Sequence, residues 1–236
     1  MLTKDMFNKS PIRVLDKTIN GGLGKGNLGV FAARKGVGKT ATLVHLAIDR
    51  ILGGENILHI SFADDPRHIE NWYLQVFNEL AGLYHLENKL ENYNSLRKNR
   101  LILHLKKSAL QFTAIRSSIE QLITHADFIP NVIITDGYPF ADASTTELQE
   151  WKNLAQQRQV EIWFSATLHR DNMAFDEHGI PFPVNRFKDL FSVIIMMQPA
   201  PEHIDFKLLK VHDSKDLDKL RLKLDPKTLL VSNYRA

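Results

Sequence analysis

The sequence contains no cysteine among its 236 residues, which excludes a disulfide framework and any metal site built on thiolates. It also lacks an uninterrupted apolar run of about 18 residues, so no membrane span is expected. The first residues, MLTKDMFNKSPIRVLD, lack the apolar segment of a signal peptide. The net charge of +3 is too small to indicate a nucleic-acid partner by itself. These absences favour a protein of a reducing compartment, and we expect a cytoplasmic one.

Along most of the chain, apolar β-branched runs alternate with helical patterns, which is typical of a mostly parallel sheet flanked by helices. The predicted strands are 27–33, 56–62, 100–105, 131–136 and 160–166. The predicted helices are 39–52, 66–84, 113–126 and 145–158. The pattern therefore predicts an α/β fold with a mostly parallel sheet.

The character of the sequence changes after residue 166. A long irregular stretch, 168–188, is predicted to be a loop. Four closely spaced apolar stretches follow it, FSVIIMMQ, HIDFKLLKVHD, DKLRLKLD and TLLVSN, and they predict an antiparallel extension of the sheet. No segment has the composition of a linker, so we predict one domain over residues 1–236, with residues 1–14 as an N-terminal arm.

The stretch ARKGVGKT at 33–40 follows a predicted strand and leads into a predicted helix. It satisfies the Walker A pattern of phosphate-binding loops when alanine is allowed at its first position. Glycines let the backbone wrap around phosphates, and the helix start offers N–H groups to an anion. Lys39 is expected to reach the β- and γ-phosphates of ATP, and the Thr40 hydroxyl is expected to bind Mg²⁺. The predicted nucleotide-binding residues are Ala33, Arg34, Lys35, Gly36, Val37, Gly38, Lys39, Thr40 and Ala41.

A second element supports this site. The apolar stretch NVIITDG predicts a buried strand that ends at Asp136, where the Walker B carboxylate of such sites lies. A turn-forming aspartate at a strand end is the alternative interpretation. With the phosphate-binding loop upstream, we interpret Asp136 as a residue that holds the metal together with Thr40.

The stretch LDKTINGGLGKGNLGVFAARKGVGKT resembles the opening of RecA-like P-loop ATPases of the DnaB helicase, KaiC and RadA type. The stretches ILHISFADDPRHI, IWFSATLHRD and FKLLKVHDSKDLDKLRLKLDPKTLLV extend the resemblance, which covers about Leu15 to Val231. It implies a RecA-like core, rings or filaments of subunits, and ATP bound with Mg²⁺ between neighbouring copies. We therefore expect the chain itself to be a partner, as a homo-oligomer.

The chain departs from this family where the attacking water is activated. The family carries a glutamate after its second strand, and this sequence has Ala63-Asp64-Asp65 there. Asp64 is the candidate for the catalytic role, with a side chain one methylene shorter, so slow hydrolysis is expected. The alternative is that Asp64 or Asp65 caps the helix that begins at Pro66. Both interpretations stay open, and one residue could serve each role.

Two further departures concern groups that sense or stabilise the γ-phosphate. Thr167 stands where DnaB-type proteins have a glutamine, and we count it among the catalytic candidates. Lys210 and His212 match a Lys-x-Arg pair that enters the neighbouring subunit's site, which makes them trans-acting candidates. His212 lacks the charge and the fork of arginine near pH 7. A solvated face of an edge hairpin is the alternative for both residues.

By the same resemblance, DNA would contact the loops after Asp136 and Thr167. The first loop has no lysine or arginine before Lys152, and its Tyr138 and Phe140 are expected to pack rather than to stack on bases. The second loop offers Arg170, Arg186 and Lys188 among acidic residues. A protein partner therefore fits it as well as single-stranded DNA does.

Three functions remain open from the sequence. The first is an ATPase with degenerate catalytic motifs, which hydrolyses ATP slowly to switch an assembly linked to DNA replication, repair or mobile elements. The second is a nucleotide-gated scaffold or regulatory protein with little or no turnover. The third is a translocase on single-stranded DNA, which the acidic loops disfavour.

Overall fold

The computed structural model describes residues 2–105, 112–168, 174–214, 217 and 219–234. The helices in this part of the chain are α1 (Leu2–Lys9), α2 (Ile12–Thr18), α3 (Lys39–Leu52), α4 (Pro66–Leu83), α5 (Lys89–Arg97), α6 (Phe112–His125) and α7 (Thr145–Arg158), with a short 3₁₀ helix at Val184–Phe187. The strands are β1 (Leu28–Arg34), β2 (Ile57–Ser61), β3 (Arg100–His104), β4 (Val132–Asp136), β5 (Glu161–Leu168), β6 (Val193–Pro199), β7 (Ile204–Val211), β8 (Leu222–Leu224) and β9 (Val231–Asn233).

These nine strands form one sheet in the order β3-β2-β4-β5-β1-β6-β7-β8-β9. The first six in this order are parallel, and β7, β8 and β9 are antiparallel to their neighbours. This confirms the predicted fold class. The five strands and four helices predicted before residue 167 are all present, each within two residues of its predicted bounds.

Strand β6 differs from its prediction on one side. The stretch FSVIIMMQ was expected in the antiparallel extension, but its strand pairs in parallel with β1, from Gly29 opposite Val193 to Ala32 opposite Met196. Its other neighbour, β7, is antiparallel to it. The local pattern of an apolar strand does not encode its partner, so the extension consists of β7, β8 and β9.

The helices cover the sheet in two layers around two apolar cores. Helices α1 to α5 contribute to the core on one face, together with Phe31 of β1 and Trp163 of β5. Helices α6 and α7 lie over the other face, where an aromatic group that includes Phe164 and Trp151 is buried. The strands in the middle of the sheet are buried on both faces, and this explains their continuous apolar runs.

The predicted N-terminal arm is helical and packs on the body of the protein. Met6, Ile12 and Leu15 are buried in the same core as α3. Asp16 of α2 accepts two hydrogen bonds from the guanidinium of Arg50 on α3, each 2.9 Å long. These contacts hold the N-terminal helices against the helix that begins at the phosphate-binding loop.

The parallel strands define two opposite edges of the sheet. We call the side where β1 to β6 end the carboxyl edge, and the side where they begin the amino edge. Since β7 runs antiparallel to β6, Ile204 at its start lies beside Pro199 at the carboxyl edge, and Val211 at its end lies beside Val193 at the amino edge. Ligands of open α/β sheets bind at the carboxyl edge. In the described residues, no helix is long and apolar enough to span a bilayer.

Candidate active site

The predicted phosphate-binding loop lies at the carboxyl edge, between β1 and α3. Gly36 and Gly38 have φ angles of +81° and +103°, which side chains rarely adopt. A Cβ atom on Gly38 would also lie 2.3 Å from Cδ2 of Leu224 in β8, so glycine is required there. No side chain caps α3 at Gly38. The first amide groups of this helix are therefore available to an anion.

Lys39 begins α3 and is buried, with 8% of its surface exposed. Its ammonium group donates hydrogen bonds of 3.0 Å to the carbonyl oxygens of Ala33 and Arg34 in the same loop. Burial lowers the pKa of Lys39 to about 8, and the nearby charge of Asp136 opposes this shift. Lys39 thus stays folded over the loop that it belongs to, while Arg34 and Lys35 are exposed.

Asp136 ends β4 and is held by hydroxyl groups on both sides. The Thr40 hydroxyl donates to Oδ2 of Asp136 over 2.8 Å, and the Ser165 hydroxyl donates to Oδ1 over 2.5 Å. Ser165 also accepts a 2.8 Å hydrogen bond from the amide of Gly137. Sequence reasoning missed Ser165. The only available signal was a hydroxyl side chain within the otherwise apolar run EIWFSATL of β5.

The Thr40 and Asp136 oxygens fit a magnesium ion. Mg²⁺ prefers oxygen ligands, keeps several waters, and binds through one or two protein oxygens plus the phosphates of a substrate. A hydroxyl and a carboxylate in contact at the start of α3 supply such oxygens. Within the described residues, no group of three or more histidine, aspartate or glutamate side chains could hold a metal ion. The pair therefore fits a metal that arrives with a nucleotide.

The two aspartates after β2 have different surroundings. Asp65 is the N-cap of α4, and its side chain accepts hydrogen bonds from the amides of Arg67 and His68 at 2.8 and 3.1 Å. These hydrogen bonds lower the pKa of Asp65. The Asp64 carboxylate is 40% exposed, and one of its oxygens lies 3.9 Å from Nε2 of His68. The cap role thus falls to Asp65, and Asp64 is left as the catalytic candidate.

Thr167 also lies at the carboxyl edge. It pairs with Ala33 across β5 and β1, so it stands next to the first residue of the phosphate-binding loop. Its side chain is half-buried. The sheet thereby brings together four of the predicted elements, namely the loop, Asp136, the Asp64 turn and Thr167.

Lys210 and His212 lie at the opposite edge of the sheet. Lys210 is near the end of β7, and its ammonium group donates a 2.7 Å hydrogen bond to the Lys188 carbonyl. Burial lowers the pKa of Lys210, and the charges of Asp189 and Asp213 oppose this. Nε2 of His212 lies 3.2 Å from the Gly22 carbonyl and donates to it. Neither residue reaches the phosphate-binding loop of its own chain.

The surroundings of Lys210 and His212 form a pocket at the amino edge. Its volume is about 590 Å³, and it is lined by His178, Ile180, Lys188, Asp189, Leu209, Lys210, His212, Asp213, Ser214 and Leu217. The lining is mixed in charge and open enough to receive a polar group from another molecule.

The loops proposed for DNA use their described side chains internally. Tyr138 and Phe140 are 6% and 2% exposed and pack against Phe164, as expected for packing residues. Arg186 donates to the carbonyls of Ala141 and Ala143, which ties the second loop to the first.

The second loop shows the same internal use at its other basic residue. The ammonium group of Lys188 lies 3.2 Å from a carboxylate oxygen of Asp176 and donates to it. Arg170 lies outside the described residues.

Comparisons with known proteins reach the fold. Neither protein-family profiles nor curated proteins give a match to the sequence. Among solved structures, the ATPase domain of a DnaB-like helicase superposes with a TM-score of 0.71 over 94% of this chain and 89% of that chain, with 15% of residues identical. At this identity the likeness establishes the architecture and leaves activity to be argued from the site. The chain has a RecA-like α/β fold, with a mostly parallel sheet and an antiparallel C-terminal extension.

Proposed function

We propose that this protein binds Mg-ATP at the carboxyl edge and hydrolyses it slowly to switch an assembly of its own copies. The observation that carries this proposal is the contact network around Asp136, in which Thr40 and Ser165 each donate to one carboxylate oxygen. A glycine-rich turn and a buried lysine stand beside the same carboxylate. Such a network is what a magnesium–triphosphate site requires.

Each group has a distinct task in this proposal. The amides at the start of α3 and the Lys39 ammonium would bind the β- and γ-phosphates. Thr40 and Asp136 would hold Mg²⁺, which neutralises charge on the phosphates. Lys39 would leave the carbonyls of Ala33 and Arg34 to reach the nucleotide. Ser165 fixes the Asp136 carboxylate from the far side.

Hydrolysis would use the second set of residues. Asp64 would orient the attacking water, since its carboxylate is accessible and is not used as a helix cap. Thr167, beside Ala33, would donate a hydrogen bond toward the γ-phosphate. Because aspartate and threonine are shorter than the glutamate and glutamine of similar sites, we expect slow turnover.

The opposite location of Lys210 and His212 supports self-association. These residues lie at the amino edge and cannot serve the site of their own chain. If they serve a nucleotide, it is bound to another copy whose carboxyl edge faces this amino edge. Such a contact joins two different surfaces, and contacts of this kind generate rings or filaments. The pocket of about 590 Å³ around Lys210 is the surface that would receive the neighbour's site.

A nucleotide-gated scaffold is the second candidate. It is favoured by the chain's own use of its cations, since Lys210 binds the Lys188 carbonyl and His212 binds the Gly22 carbonyl. In that case ATP would change the oligomeric state without useful turnover. Asp64→Ala would then leave every effect of ATP intact.

A link to DNA replication, repair or mobile elements is the most distant part of the proposal. Arg186 and Lys188 are engaged by carbonyls and by Asp176, and their charges are not presented as a phosphate-binding surface. A protein partner of the 168–188 loop is therefore preferred over single-stranded DNA. A translocase would need steep salt dependence of DNA binding.

The deciding experiment is Mg²⁺-dependent ATP turnover with and without single-stranded DNA, beside the Lys39→Ala variant. Oligomeric state is measured by light scattering with and without ATP. Turnover that Lys39→Ala abolishes supports the ATPase. ATP-dependent assembly without turnover supports the scaffold, and the absence of ATP binding by the wild-type protein rejects both.

A further inference from the structure

The turn that carries Asp64 is held by side chains from two neighbouring strands. Ser61 ends β2, and in the sheet it pairs with His104 of β3 on one side and with Asp136 of β4 on the other. The carboxyl ends of three strands therefore carry His104, Ser61 and Asp136 side by side. The first two of these side chains both turn toward the backbone of Asp64.

Three hydrogen bonds fix the backbone of Asp64. Its carbonyl oxygen accepts from the Ser61 hydroxyl at 2.7 Å and from Nδ1 of His104 at 2.8 Å. Its amide donates to the same Ser61 hydroxyl at 2.9 Å. Both lone pairs of the carbonyl and the single amide hydrogen are thus used, and the peptide planes on either side of Asp64 have one orientation.

This arrangement matters because the Asp64 side chain itself is poorly restrained. Its carboxylate is 40% exposed, and His68, at 3.9 Å, is itself mostly exposed. The position of the carboxylate is therefore set by the backbone from which the short side chain extends. A displacement of about 1 Å in a reacting geometry can cost roughly 100-fold in rate. An aspartate in place of a longer residue has little reach to correct such a displacement.

We propose that His104 is a positioning residue, which together with Ser61 holds Asp64 where its carboxylate can orient the attacking water. The inference rests on the proposed ATPase function, and it assigns no contact between His104 and the nucleotide. It requires that the imidazole carries a proton on Nδ1, because the Asp64 carbonyl can only accept.

The test compares two substitutions of His104. His104→Leu removes the donor, and His104→Asn keeps a donor nitrogen at the same distance from Cβ as Nδ1. We expect His104→Leu to lower kcat for ATP roughly 10- to 100-fold with KM unchanged. His104→Asn should restore most of the loss. His125→Leu, which changes an exposed histidine at the end of α6, should behave as wild type.

Two results would overturn the inference. One is a kcat for His104→Leu that equals the wild-type value. The other is an equal loss in His104→Leu and His104→Asn, or a parallel rise in KM, since either would mean that His104 only supports the local fold.

A second readout separates this inference from the proposed function. The Asp64 amide is hydrogen-bonded, so its hydrogen exchange should be slow in the wild-type protein and faster in His104→Leu. If the wild-type protein binds ATP without turnover, the hydrolytic proposal fails, and exchange at Asp64 still decides whether His104 holds this turn. Exchange that is equally fast in the wild type and in His104→Leu overturns the positioning role.

Discussion

The carboxyl edge contains two sets of functional side chains that are held very differently. In the phosphate-binding set, Lys39, Thr40 and Asp136 are hydrogen-bonded within the chain, and Lys39 and Asp136 are almost fully buried. In the water-activating set, the Asp64 carboxylate and Thr167 are partly exposed. Preorganised groups bind a ligand at low entropic cost, whereas mobile groups do not stabilise a transition state efficiently. The difference indicates a protein that binds nucleotide well and hydrolyses it slowly.

The residues that would complete hydrolysis lie on the other side of the molecule. Lys210 and His212 occupy the amino edge, so the slow site of an isolated chain gains cations only from a second copy. Binding would then be a property of one chain, and turnover would be a property of the assembly. Each prediction below separates these two properties.

Lys39→Ala should have the largest effect, because it removes the buried cation of the phosphate-binding set. We expect ATP affinity to fall on the order of 100-fold, as for the loss of a hydrogen bond to a charged group of about 1.5–3 kcal/mol. Turnover should fall to background. Titration with a fluorescent ATP analogue measures the affinity, and Lys35→Ala, an exposed neighbour, is the matched control. Equal affinities for Lys39→Ala and Lys35→Ala would reject the site.

Asp64→Ala should affect only turnover. Removal of a group that positions or deprotonates the nucleophile costs roughly 100-fold or more in kcat, and the phosphate contacts are unchanged. Asp65→Ala is the control, because it removes the N-cap of α4 and should lower the melting temperature slightly without changing kcat. If the two variants lose activity in reverse order, the roles of Asp64 and Asp65 must be exchanged.

The phosphate-binding set could be predicted from the sequence because its signals are local. The order of strand, glycine turn, lysine and helix occupies consecutive residues, and Asp136 ends an apolar run. Ser165 could not be predicted, because its role depends on the pairing of β4 with β5. The same applies to His104, which reaches Asp64 only because β3 lies next to β2.

The fold shows the same division between local and long-range information. Strong apolar periodicity predicted the central strands and helices. Helix α5, with its polar sequence KLENYNSLR, gave no such signal. The parallel pairing of β6 with β1 joins residues about 160 positions apart, and no local pattern specifies it. The residue that caps α4 was predicted only as a choice between two aspartates, since side-chain direction decides it.

The pH dependence of ATP binding should report the buried state of Lys39. Its pKa of about 8 in the free protein means that it is mostly charged at pH 7.5 and mostly neutral at pH 9. A bound polyanion raises that pKa, so binding takes up a proton and weakens as pH rises. We expect a loss of roughly fivefold to tenfold between pH 7.5 and 9, a range above the second pKa of a phosphate, near 6.

Calorimetry in two buffers of different ionisation enthalpy measures the proton uptake directly. Lys39→Arg provides the control, because a guanidinium stays charged over this range and its affinity should be independent of pH. A wild-type affinity that is flat between pH 7.5 and 9 would show that Lys39 is already fully charged in the free protein.

His212→Arg should have the smallest effect, and it tests the assembly rather than the single chain. An arginine is charged at pH 7 and can bind a phosphate through two N–H groups, so turnover per subunit should rise severalfold. The gain is limited because the side chain must leave the Gly22 carbonyl to reach a neighbour. Since the cation acts on another copy, the rise should appear only at protein concentrations that support assembly. Lys207→Arg, an exposed position on the same strand, should leave turnover unchanged. A rise that persists on dilution to monomers would contradict a trans-acting role, because the amino edge of a chain does not reach its own nucleotide site.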